Sequence, residues 1–305
     1  MVKKDGKRLF LYPLENIQQL VIVGRVEIST AMLGVLMRRG IGTTFLSRDG
    51  RFKGKVLGGV GKDIFIREKQ FQRRTDPKFC LTLSRQIISA KIRNCRNFLR
   101  KQQPAVYEDS RVRIQNALKN IPAVRNLNML RGIEGAFSAY YFSLFSRLLR
   151  GDFSFHKRTK HPPRDPVNIL LSLGYTLLFN TIYGLVEAAG LDPFAGFYHL
   201  SSYGHPALVS DLMEPYRAPV VDRLVIHCLN QGIIQKSDFT REEDKLRLSP
   251  SALKTFVEFY QNRLYEKIKI NNRQEDIWRL LQKDIWQFKS YLEGEIQNYQ
   301  PKIFR

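Results

Sequence analysis

Three residues between Leu191 and Asp222, namely His199, Asp211 and Glu214, and one upstream, Glu134, are of the types that bind hard divalent cations. Asp211 and Glu214 stand three apart, which puts both carboxylates on one face of a helix, within reach of a loop histidine. Imidazole with carboxylates is a hard-to-borderline donor set suited to Mg²⁺ or Mn²⁺, Mn²⁺ being the more tolerant of nitrogen. An ion held this way polarises phosphate oxygens, so the chemistry is phosphodiester cleavage or transfer.

Each residue also has an ordinary reading. Glu134 lies in GIEGAFSAYYFSLF, a run with no other charge until Arg147, and a carboxylate carried into apolar surroundings is paired, protonated or metal-bound. Its neighbours Gly132 and Gly135 each weaken a helix by about 1 kcal/mol relative to Ala, but they permit close approach of another backbone. Taken alone, His199 reads more readily as a hydrogen-bonded core histidine, but of the two histidines here it is the preferred ligand. His205 competes as a ligand, although it immediately precedes Pro206, a favourable first helical residue. Asp211 and Glu214 fit a helix cap and its third position. Pro215 and Pro219 predict a kink or break after Glu214.

The elements that must position these groups fall into two classes, giving an α+β chain of two domains. Residues 1–66 read as a β-rich, sandwich-like domain: RLFLYP, QQLVIVG, GTTFLS and FKGKVLGG are strand-like, and Ser29 or Thr30 caps a helix through Met37 closed by Gly40. Gly58, Gly59 and Gly61 imitate a phosphate loop without the GK[ST] that would complete it, and read as a turn. Residues 67–78 read as a linker. From residue 79 to 305 strand signals vanish, which predicts an all-helical domain broken near Pro104, Pro122, 150–166, Pro193 and 231–250. Pro166 to Gly184 carries no charge and nearly reaches membrane-spanning length, but its Asn168, Ser172, Gly174 and Asn180 favour a buried core helix. Two amphipathic helices between Ser251 and Tyr299 close the core.

Fifty Lys and Arg against twenty-eight Asp and Glu leave a formal net charge of +22, which favours polyanionic partners, nucleic acid before membrane. In the helix from Phe79 to Lys101, Cys80, Leu83, Ile87, Cys95 and Phe98 share one face, and Arg85, Ser89, Arg93, Arg96 and Arg100 share the opposite arc. Residues 67–125 hold fifteen Lys and Arg against four Asp and Glu, so this arc is either a solvated face or a track for phosphates. Cys80, Cys95 and Cys228 are too scattered for a disulfide framework or a thiolate zinc site, and no secretory leader pattern opens the chain, so a reducing cytoplasm is expected.

Four motifs in order, RGIEG from Arg131 to Gly135, RDPVN from Arg164 to Asn168 followed by LLSLGY, DPFAGFYH from Asp192 to His199, and DLMEPYR from Asp211 to Arg217, resemble the CRISPR adaptation integrase, the first CRISPR-associated protein. The similarity extends through VGRVEISTAMLGVLMRRGIGTTFLSRDGRFKG and so over nearly the whole chain. The resemblance implies a β-rich domain that pairs two subunits and a helical domain with one divalent-metal site. It places the ligands on Glu134, His199 and Glu214, with Asp211 as a supporting acid and Asn168 and Tyr175 lining the pocket. Arg131, Arg164 and Arg217, within the motifs, join Arg85, Arg93, Arg96, Arg100, Asn168 and Tyr175 as expected DNA contacts. The resemblance further implies double-stranded and branched DNA as substrates, a homodimer, and a small ferredoxin-like dimer, the second CRISPR-associated protein, as partner. Family chains usually begin with an additional strand or two before the segment equivalent to residues 3–13, so either a shortened β domain or a misplaced start codon is expected. A repair nuclease for branched DNA and a non-catalytic DNA scaffold remain as alternatives.

Overall fold

The computed structural model describes residues 2–4, 7–17, 19–47, 52–58, 63–159, 163, 165–200, 202–242, 245–270 and 273–304. The chain is α+β and divides into two compact units, Met1–Val60 and Gly61–Arg305.

In the first unit β1 (Val2–Lys4) pairs antiparallel with β2 (Lys7–Phe10). A second sheet has the order β3 (Gln19–Val23), β4 (Gly42–Leu46), β5 (Phe52–Val56). β3 and β4 run parallel, Gln19 opposite Gly42 through Val23 opposite Leu46, which requires the crossover that α1 (Thr30–Arg38) supplies. Ser29 caps α1 by accepting from the Met32 N–H at 3.2 Å, and Gly40 takes φ +69° just past its end, both as the sequence predicts. Gly58 has a steric reason to be glycine, since a Cβ there would lie 2.1 Å from the Met37 carbonyl oxygen. Gly59 and Gly61 lie outside the described residues.

The second unit is mainly helical, comprising α2 (Ile64–Arg74), α3 (Pro77–Gln102), α4 (Pro104–Asn120), α5 (Leu127–Phe145), α6 (Pro166–Ala188), α7 (Ala207–Met213), α8 (Arg223–Asn230), α9 (Pro250–Tyr265) and α10 (Ile277–Glu293). It is not all-helical. Two hairpins, β6 (Phe239–Glu242) with β7 (Lys245–Leu248) and β8 (Lys267–Ile270) with β9 (Arg273–Asp276), flank α9. Two of the strands, KLRL and KIKI, alternate charged and apolar residues, but only over four residues each, and their partners FTRE and RQED do not, so the signal is too short to stand out from the helical pattern around it. Proline at the first turn of α3, α4, α6 and α9 starts each helix where its missing N–H costs nothing.

The expected linker over 67–78 is for the most part helix. Asp63 caps α2 through the Ile66 N–H, and the fully buried Gln70 spends its amide on the backbone of the 192–195 loop. Its Nε2 donates to the Asp192 and Ala195 carbonyls at 2.9 Å each, while its Oε1 accepts from the Asp192 N–H at 2.8 Å. Arg67 and Arg74 donate to the carbonyls of Gly190 and Gly196, both at 3.1 Å. The polar composition that reads as linker therefore supplies donors for a loop that has no helix or strand to satisfy it.

α6 is long and apolar enough to cross a membrane, and 72% of its most apolar stretch is buried within the protein. Gly174 lets it pack: a Cβ there would stand 2.5 Å from Val221 Cγ1.

Candidate active site

α3 supplies the floor of the site. Its predicted apolar arc is buried, and Ser84, Lys91, Asn94 and Asn97 are buried with it. Asn94 donates to the Pro215 carbonyl at 2.7 Å. That carbonyl would ordinarily take the N–H four residues on, which Pro219 lacks. The break expected after Glu214 has a defined form: α7 ends at Met213, a 3₁₀ turn spans Glu214–Tyr216, and a π-helical segment spans Arg217–Asp222 before α8. Arg263 clamps this segment by donating to the Pro219 carbonyl from Nε at 3.1 Å and Nη2 at 2.7 Å.

Asp211 is not a helix cap. It lies inside α7, is fully buried, and accepts the backbone N–H groups of Phe197, Tyr198 and His199 at 2.6, 3.0 and 2.9 Å. Its Oδ1 also lies 2.6 Å from His199 Nδ1. A carboxylate accepts only, so Nδ1 of the neutral ring carries the proton and Nε2 keeps its lone pair. This is the arrangement by which a carboxylate orients a metal-binding imidazole. Gly196 lets the loop lie against α7, since a Cβ there would stand 2.6 Å from Ala207 Cβ. His199 Nε2 faces Glu214 Oε1 at 3.8 Å. His205 is occupied elsewhere, its Nε2 3.2 Å from Ser210 Oγ.

Lys91 joins the two glutamates. Its ammonium donates to Glu134 Oε1 and pairs with Glu214 Oε2 at 2.7 Å. Glu134 Oε1 also accepts from Ser138 Oγ at 2.7 Å. Arg217 Nε donates to Glu214 Oε1 at 2.9 Å. Burial alone would raise the Glu214 pKa, but the Arg217 and Lys91 charges outweigh it and hold the carboxyl below the usual carboxylate range. Gly132 and Gly135 do not receive another backbone: a Cβ at either would meet nothing within 4 Å, so this side of α5 is open.

Glu134, His199, Asp211 and Glu214 are thus brought together from α5, the 190–206 loop and α7 with its 3₁₀ extension. The donor types fit a divalent ion: two carboxylates, and an imidazole whose free nitrogen faces one of them. Among the described residues, though, no three His, Cys, Asp or Glu side chains stand close enough to enclose an ion as they are placed. Lys91 stands between Glu134 and Glu214 instead.

The remaining expected residues separate by placement. The Arg217 guanidinium covers the Tyr175 ring at 4.8 Å, and Tyr175 donates to Asp222 Oδ1 at 2.5 Å. Asp222 also accepts from Tyr141 at 2.7 Å, and burial pushes its pKa up to about 6 despite these hydrogen bonds and the nearby Arg217 and Arg158. Arg131 donates to the Tyr198 carbonyl at 2.6 Å and so fixes the histidine loop. Asn168 is fully buried and committed to Arg158, Asp165 and the Lys157 carbonyl, so it shapes the fold and is out of reach of DNA. Arg85 is half-buried and spent on the Val124 carbonyl, and Arg96 is half-buried beside Asn97. Arg93 and Arg100 are exposed. Arg164 lies outside the described residues.

Lys91, Arg158 and Asp222 were not anticipated. The signal for Lys91 was present: it falls midway between Ile87 and Cys95 on the apolar arc of α3, where an unpaired lysine would not be buried.

The family model described as CRISPR associated protein Cas1 matches residues 1–262. A CRISPR-associated exonuclease Cas4/endonuclease Cas1 fusion of Geobacter sulfurreducens is 35% identical over 98% of this chain, which spans 57% of that protein. A CRISPR-associated endonuclease Cas1 of Thermus thermophilus is 32% identical over 99% of this chain and 91% of its own length. Among solved structures, a casposase bound to integration product matches with TM-score 0.85 and 23% identity, covering 93% of this chain and 81% of that one. A Cas6-RT-Cas1–Cas2 complex matches with TM-score 0.82 and 28% identity, covering 98% of this chain and 34% of that one.

Proposed function

Since the chain belongs to the Cas1 family, we propose that it is a divalent-metal-dependent DNA endonuclease and strand-transfer integrase of CRISPR spacer acquisition, joining the 3′-hydroxyl ends of a short duplex into a repeat array. The observation that carries this reading is the His199 ring, held by Asp211 so that Nε2 faces Glu214 at 3.8 Å, with Glu134 linked to the same carboxylate through Lys91.

Glu134, His199 and Glu214 would hold Mg²⁺ or Mn²⁺. Bound there, the ion supplies Lewis-acid polarisation of the target phosphate and offsets charge as the transition state forms. Asp211 keeps the imidazole in one tautomer and orientation. Arg217, stacked on Tyr175 and bonded to Glu214, places a fixed cation beside the reacting phosphate. Arg131 holds the loop that carries His199. A DNA 3′-hydroxyl attacks in line and the neighbouring strand end leaves, so no covalent protein intermediate forms. Water in place of the hydroxyl gives cleavage.

The reading includes a homodimer paired through a sandwich-like β-rich unit, a cytoplasmic setting, and a small ferredoxin-like Cas2 dimer as partner. The similarity to a chain of a Cas6-RT-Cas1–Cas2 complex supports the last.

The test is transfer of a labelled 3′-hydroxyl duplex into a supercoiled plasmid carrying a repeat array, with Mn²⁺ and the purified partner. Wild type should give joined product and His199→Ala none. Cleavage without joining would favour a branched-DNA repair nuclease, and DNA binding with neither reaction would leave a scaffold.

A further inference from the structure

Lys91 stands where the two glutamates converge, and its surroundings define what it does there. Its side chain is 11% exposed, that of Glu214 is 6% exposed and that of Glu134 is 22% exposed, so the cluster opens to solvent on the Glu134 side. α3 carries the lysine stem among buried neighbours Ile87, Ile88, Ile92 and Cys95. Among the described residues, its ammonium pairs with the two glutamates and with no backbone carbonyl.

Charge counting sharpens the point. Glu134, Glu214 and Asp211 contribute three negative charges, and Lys91 and Arg217 two positive ones, leaving one net negative charge with His199 neutral. A dication added to that set turns it to one net positive charge inside a largely buried cluster. The same dication with the lysine gone from the cluster leaves it neutral. Arg217 cannot be the cation that leaves as readily, because its guanidinium is also stacked on Tyr175 at 4.8 Å. A flexible four-carbon stem carrying a point charge is suited to moving aside.

We propose that Lys91 is the site's internal counter-cation: in the metal-free protein its ammonium holds Glu134 and Glu214 together, and a divalent cation binds between them by displacing it. This rests on the metal reading of the site. It makes ion binding an exchange of one cation for another, so the site folds before it is loaded and its affinity for metal is held down by its own lysine.

The experiment measures Mn²⁺ binding to the full chain, stripped of metal, by loss of the free-ion EPR signal, for wild type, Lys91→Met and Lys91→Arg. Lys91→Met should bind Mn²⁺ at least about tenfold more tightly than wild type, a difference of about 1.4 kcal/mol. Lys91→Arg, which keeps the charge, should bind no more tightly than wild type. Metal-free Lys91→Met should also melt below wild type and regain the difference with Mn²⁺. Wild type binding Mn²⁺ with Lys91→Met no tighter would overturn the proposal while leaving the metal reading intact. Absence of Mn²⁺ binding by all three proteins would overturn both. If Lys91→Met does not fold without metal, refolding with Mn²⁺ present decides the matter: rescue supports the exchange, and failure at saturating Mn²⁺ overturns it.

Discussion

Glu214 and Tyr216 leave the same 3₁₀ turn toward different buried clusters, and each cluster contains a carboxylate. Glu214 is flanked by Arg217 and Lys91, whose charges override the effect of burial and keep it ionised. Asp284 accepts instead from the hydroxyls of Tyr216 at 2.7 Å and Tyr299 at 3.1 Å, and burial pushes its pKa up to about 6 against those two hydrogen bonds. Both side chains are nearly or wholly withdrawn from solvent. Burial alone does not say what a carboxylate is for. One flanked by cations is held ionised and ready to face a further cation, whereas one surrounded by neutral hydroxyls ties helices together and titrates near neutrality.

The strongest way to break this contrast is to neutralise each acid in turn. Glu214→Gln should reduce strand transfer by more than the roughly 10–100-fold that loss of an outer-shell partner costs, measured with the labelled duplex. Asp284→Asn, which keeps an acceptor for both tyrosines, should retain transfer. Equal losses would show that the two clusters do not differ in kind.

A pH series separates them by stability. The folded pKa of Asp284, about 6, lies above its ordinary value of 3.8. Below pH 4 the group is protonated in both states and costs nothing. As pH rises through 6 the folded state must give up a proton it holds more tightly, and stability falls by about 2–3 kcal/mol. Urea unfolding at pH 4.5 and 7.5 should show Asp284→Asn losing less over this range than wild type by about that amount. Asp222, shifted the same way, remains as a shared background. Glu214 has the opposite sign: its depressed pKa adds stability above its ordinary value of 4.5, lost as pH falls toward the folded value.

The packing between the clusters is probed by Gly174→Ala, whose Cβ would stand 2.5 Å from Val221 Cγ1 in the π-helical segment. Overpacking there should cost about 1–3 kcal/mol in urea unfolding. Gly132→Ala, with nothing within 4 Å of its Cβ, should instead gain up to about 1 kcal/mol. The smallest effect concerns the outer arc of α3. Replacing exposed Arg93 and Arg100 with Gln should weaken DNA binding modestly and lower the slope of log affinity against log salt by about 1.8 if both touch phosphates.

Much of this was legible in the residues. Proline and cap positions mark the helix starts, the spacing of Cys80, Leu83, Ile87, Cys95 and Phe98 gives the buried face of α3, and Asn168, Ser172, Gly174 and Asn180 mark α6 as a core helix. Less visible were features whose cause is tertiary. Gln70 reads as linker because only the 192–195 loop makes an amide worth burying there. The two hairpins escaped notice because the alternation of KLRL and KIKI lasts only four residues and is not matched in the partner strands FTRE and RQED. Asp211 fits a cap locally, and only the fold brings the N–H groups of residues 197–199 to it. Asp222 follows an apolar run that gives no hint of the two tyrosine hydroxyls it receives.

The π-helical segment over Arg217–Asp222 acts as a phase correction between two ends of one helical path. Winding more slowly than an α-helix, it lets Arg217 face Glu214 while Asp222 still meets Tyr141 and Tyr175 and α8 continues into the core. Removing a single residue from this stretch would restore ordinary winding and leave every acid of the site in the chain. It would also rotate the arginine and the aspartate out of step, so the spacing of this segment constrains length as firmly as the motifs constrain identity.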